Sequence, residues 1–150
     1  MKTTLCCAVI AVLALSAPAQ KPATPATPQT YTLTVVVEHV NEEGGNIGVL
    51  VFNSGKGWPE NRGLALKDVV VKAHSGTVIV TIPDLPAGNY AVAVAHDVNM
   101  NHKLDKNWLG MPKEQYAISN NPKVVFKAPS FDTARFSISG NTEIHVSAHL

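Results

Sequence analysis

The chain of 150 residues has two cysteines, Cys6 and Cys7, both within its first seven positions. Everything after them lacks a thiol, which excludes disulfide staples and thiolate metal centres from the rest of the molecule. Charge is scarce as well: 15% of residues are charged, 12 basic against 11 acidic. No basic excess gathers on any segment, so the footprint of a nucleic-acid binder is missing. Long hydrophobic runs are also missing. The apolar stretch from Leu5 to Leu15 is well short of the about 20 residues that span a bilayer. There is no G-x-S-x-G nucleophile elbow, and Gly55-Lys56-Gly57 lacks the spacing of a phosphate-binding loop.

The apolar stretch has a different meaning. Lys2 precedes it, and Ser16, Ala17, Pro18 and Ala19 follow it, which is the positive, hydrophobic and small-residue order of a secretory signal peptide. Residues 1–19 are therefore expected to be removed, with cleavage after Ala19, because a cut after Ala17 would leave proline at the first mature position. That cut takes both cysteines with it. Losing Lys2 leaves 12 − 1 = 11 basic residues against 11 acidic, a neutral mature chain without a membrane span, exported to the periplasm or the cell exterior. Residues 20–30, QKPATPATPQT, hold three prolines and no large apolar side chain, and read as a semi-extended tether.

From residue 31 onward the pattern has period two. Leu33, Val35 and Val37 share one face, then Ile47, Val49 and Val51, with Leu50 and Phe52 opposite. The turn-rich Asn41-Glu42-Glu43-Gly44-Gly45 between them predicts an antiparallel hairpin. Val78, Val80 and Ile82 alternate next. Pro83-Asp84-Leu85-Pro86-Ala87-Gly88 predicts a second hairpin, into residues 90–97. There Tyr90, Val92 and Val94 face one way and Ala91, Ala93 and Ala95 the other, which predicts a central strand with something closely apposed to its small side. Residues 69–72 read as an edge strand, residues 64–67 as a short helical turn, and residues 136–139 and 144–148 as late strands. The domain over residues 31–150 is thus expected to be all-β, a single antiparallel sandwich of about seven strands, Ig-like or prealbumin-like. Two connections, residues 54–68 and 98–122, are too long for ordinary hairpin loops, which makes them candidates for function.

Asp97, Asn99, Asn101 and Asp105 place oxygen-bearing side chains at loop positions 1, 3, 5 and 9, a spacing that can wrap oxygens around Ca2+. The glycine of position 6 and the glutamate of position 12 in an EF-hand loop are here His102 and Trp108. The competing reading has the same side chains bond to their own backbone as Asx-turns and knit the segment. His145 and His149 lie four residues apart on a strand, about 13 Å, too far to share one zinc ion. By parity His96 falls at the rim of the core. Trp58, His96 and Trp108 form a candidate ligand surface.

The order of several short pieces resembles the DUF2141 family of exported bacterial proteins of unknown function. The pieces are Phe52-Asn53-Ser54, Trp58-Pro59, Leu85-Pro86-Ala87-Gly88-Asn89-Tyr90, His96-Asp97 with Asn99 and Asn101, Lys103-Leu104-Asp105, Leu109-Gly110, Ser119-Asn120 and Pro129-Ser130-Phe131-Asp132. Family members carry glycine where this chain has Met100 and His102, and an acidic residue where it has Val98. The resemblance implies a sandwich of the kind that serves as a binding or spacing module. The expectation is a non-enzymatic exported domain acting through residues 98–122 on an unidentified protein or small molecule. The alternatives are a hydrolase, with His96 or His102 set against a carboxylate, and a small-ligand carrier using Trp58 and Trp108.

Overall fold

A computed structural model describes residues 29–123 and 127–150. The expected signal peptide, residues 1–19, and all but the last two residues of the tether lie outside the described residues.

Eight strands form two sheets. They are β1 (Thr30–Val40), β2 (Asn46–Phe52), β3 (Lys67–Lys72), β4 (Gly76–Pro86), β5 (Gly88–Asp97), β6 (Tyr116–Ile118), β7 (Phe136–Ile138) and β8 (Thr142–Ser147). A 3-10 turn, Arg62–Leu64, and a short helix, α1 (Phe131–Ala134), complete the elements. The smaller sheet has the order β4-β1-β8; the larger runs β3-β2-β5-β6, with β7 also paired to β5. Every inward face expected from period two is buried. Leu33, Val35 and Val37 meet Ile47, Val49 and Val51 across the sandwich, with Val80, Ile82, Val92 and Val146 filling the same layer. β5 is central and β3 lies at an edge, both as the alternation implies.

Both expected hairpins are wrong. β1 pairs with β4 and β8, while β2 pairs with β3 and β5, so the first two strands lie in opposite sheets. β4 and β5 are likewise split between the sheets. The two turns are arches that carry the chain over the core. In the first, His39 has φ 62°, Gly44 97° and Gly45 66°, and the Gln115 amide clips the bend by accepting from Asn41 N–H (2.8 Å) and donating to His39 C=O (3.0 Å). In the second, Asp84 has φ 61°, and the Tyr90 hydroxyl donates back to Pro86 C=O at 2.8 Å. A turn-rich segment between alternating runs announces reversal of direction. It does not say whether the next strand pairs in the same sheet or faces it.

The sandwich is also not wholly antiparallel, because β1 and β8 run parallel, Leu33 opposite Thr142 through Glu38 opposite Ser147. β6 was hidden within residues 98–122, being three residues long. The helical turn lies at Arg62–Leu64 rather than residues 64–67.

Candidate functional site

Asp97 ends β5 and starts an irregular segment that closes on itself. Its carboxylate, buried, accepts from Asn101 N–H (3.0 Å) and His102 N–H (2.7 Å). Asn99 Oδ1 also accepts from Asn101 N–H, and Asn101 Oδ1 from Lys103 N–H. Asp105 accepts from the side-chain amides of Asn99 (2.8 Å) and Asn101 (3.0 Å). The four residues singled out for oxygen spacing are thus brought together, and each of their carboxylates takes donors from the protein. Met100 and His102 sit at φ 59° and 62°, which explains why glycine suits these two positions.

Glu114 was not among the site candidates read from the sequence. Its buried carboxylate accepts from Val98 N–H (3.1 Å) on one oxygen and Asp105 N–H (2.9 Å) on the other, tying the two ends of the loop. Beyond it, Asn107 Oδ1 accepts from Leu109 and Met111 N–H, shaping a tip that carries Trp108 at 90% exposure.

The histidines and tryptophans do not converge. His96 is buried, its Nε2 against Gly44 C=O at 2.9 Å and its backbone N–H donating to Gln115 C=O. Trp58 packs edge-on against Phe52 and Phe131 and donates its indole N–H to Pro129 C=O at 2.8 Å. It caps the outer cluster of Ala91, Ile118 and Ala134. Trp108 is far more exposed, and neither tryptophan lines the cavity described next. His145 and His149 are exposed. Among the described residues no three histidine, cysteine or acidic side chains group as a metal centre.

A concavity of ≈ 310 Å³ lies on the outer face of the larger sheet. Gly48, Ala93 and Ala95 line its floor, where side chains of ordinary size would fill it. Leu50 and Val70 flank them. The two long connections supply much of the remaining lining: Pro59, Glu60 and Arg62 from one, and Leu104, Lys106 and Met111 from the other. An ion pair between Lys106 and Glu60 (2.5 Å) joins the connections. Tyr116 also lines the space, and burial pushes its phenol above the usual 10, so it stays neutral. The small side of residues 91–95 was the sequence signal for this space. Arg62 and Gly48 gave none, since their roles depend on which strands become neighbours.

A family model described as an uncharacterized protein conserved in bacteria, DUF2141, matches residues 35–145. No curated protein and no solved structure matches the chain.

Proposed function

The chain belongs to the DUF2141 family, and from that premise we propose an exported, non-enzymatic β-sandwich that binds a small partner in the concavity on its larger sheet. One observation carries the reading: both long connections converge over the glycine and alanine floor of β2 and β5. Small-molecule sites are concave, mostly apolar, and begin at about this volume. Of the two histidines of the hydrolase alternative, His96 has its ring committed to a backbone carbonyl.

The test is a fragment screen on residues 20–150 by amide chemical-shift mapping. Hits should shift the resonances of Gly48, Ala93, Ala95 and Leu104 together. Shifts confined to other surfaces, or no hits at all, would overturn the reading. Export is tested separately by mass spectrometry of the chain recovered outside the cytoplasm of a bacterial host, where a first residue other than Gln20 argues against cleavage after Ala19.

For residues 97–105 the Asx-turn reading is the better supported. Asp97 and Asp105 accept four N–H donors between them, and a cation would have to displace them. Millimolar calcium is therefore expected to shift the melting temperature of neither the wild type nor Asp105→Ala. A rise of several degrees in the wild type alone would restore the cation site.

A further inference from the structure

Arg62 has a divided guanidinium. Its Nε and Nη2 donate to the two oxygens of Asp68 at 2.8 and 2.5 Å, a fork that fixes the plane of the group. The third nitrogen, Nη1, makes no hydrogen bond among the described residues. It points across the floor of the concavity, 3.6 Å from where a Cβ on Gly48 would stand. A Cβ at position 48 would meet the guanidinium at ordinary contact distance, so only a small residue there leaves it room against the sheet.

Among the charges on the lining, Lys106 is paired with Glu60 and Arg62 with Asp68, and the Asp97 carboxylate accepts two backbone N–H groups of its own loop. Lys103 and Lys127 also line the space and form no ion pair among the described residues. Residues 1–28 and 124–126 contain no acidic side chain that could pair with them. The walls, by contrast, are Leu50, Val70, Leu104 and Met111. A fully hydrated inorganic anion would lose water against those walls without compensation.

Resting on the binding reading above, we infer that the concavity takes a small monocarboxylate with an apolar body, its carboxylate on Arg62 Nη1 and the fields of Lys103 and Lys127, its body over Gly48, Ala93 and Ala95. Asp68 is the positioning residue that turns Nη1 into the space.

Octanoate and octanol, matched in chain and differing in charge, serve as probes, with amide shifts read on residues 20–150. Octanoate is expected to bind at the floor about tenfold or more tighter than octanol, the effect of one added charge-assisted contact. Arg62→Gln should bring octanoate down to the octanol level, and Asp68→Asn should weaken octanoate while leaving octanol unchanged. Gly48→Val keeps Arg62 and should abolish both by occupying the floor; its melting curve confirms that it folds. Equal binding of the two probes overturns the carboxylate inference and leaves the site standing. Failure of both probes while neutral fragments still shift the floor also overturns it. Failure of probes and fragments alike removes the site itself.

Discussion

At residue scale, backbone conformation says more than side-chain chemistry. Met100 and His102 hold φ near +60°, a region that costs an L-residue with a Cβ roughly 1–2 kcal/mol. Met100→Gly and His102→Gly should each raise stability, by about 1 kcal/mol after the entropy lost with glycine is set against the relief. Thermal unfolding of the two variants reads this directly, and a lower melting temperature would contradict it. Gly45 is the opposite case. A Cβ there would lie 2.3 Å from Asp97 C=O and 2.6 Å from Val98 Cα, both backbone atoms that cannot step aside. Gly45→Ala should cost about 3 kcal/mol, at the upper end of ordinary substitutions, whereas Gly48→Ala, with its nearest atom at 3.6 Å, should be close to neutral.

His145 offers a pH-dependent residue. Its hydrogen bond to Glu38 first, and that to Glu143 next, hold its imidazole above the ordinary 6.5. A raised folded value means the protonated form is favoured by folding. The resulting stabilisation is therefore complete below pH 6.5 and is lost as pH rises through the raised value. The side chain is exposed, so the effect on stability is small, but the titration itself is visible by NMR. Glu38→Gln should lower the His145 midpoint, and an unchanged midpoint would show that the contact does not act on the ring.

At the scale of elements, the lesson is about which links period two can carry. Alternation assigned the buried face of β1, β2, β4 and β5 correctly, since burial depends only on parity along one strand. Pairing depends on the connection, and the arches at residues 41–45 and 86–88 carry the same turn residues as hairpins. What separates them is a set of distant clips, Gln115 on the first and Tyr90 on the second, invisible to a local window. Ser119 is a further element of this kind. β6 and β7 share one edge of β5 with a gap between them, and Ser119 fills it: its N–H donates to Val92 C=O, its Oγ accepts from Val92 N–H (2.9 Å), and the same hydroxyl donates to Ala134 C=O (2.6 Å). Ser119→Ala leaves two buried backbone groups short of a partner and should cost about 1–3 kcal/mol. Amide exchange should speed most at Val92. Uniform destabilisation with Val92 still protected would contradict the splice.

At the scale of the whole molecule, the site was only half legible. The small face of residues 91–95 announced a close neighbour, and the long connections announced something built from them. Which side chain would lie over which floor followed from the sheet order, and the sheet order was misread. Closure of the sandwich likewise depends on contacts remote in sequence. β8 covers the free edge of β1, with Val146 fully buried. The chain then crosses over, Ala148 N–H donating to Glu38 C=O, while His149 and Tyr116 exchange both backbone hydrogen bonds at 2.9 and 3.0 Å. The last residues therefore fasten the smaller sheet to the larger one, in a chain with no cysteine after residue 7 to do it covalently. Truncation after Gly140 would strip β1 of its parallel partner, expose the inner face of the smaller sheet, and leave an unpaired apolar edge open to other copies. Such a chain should lose cooperative unfolding and associate at micromolar concentration. Truncation after Ser147, which keeps β8 but removes the crossing, should still fold with a lowered melting temperature. If the longer deletion unfolded as cooperatively as the full domain, closure by the C-terminal strand could not be what holds the two sheets together.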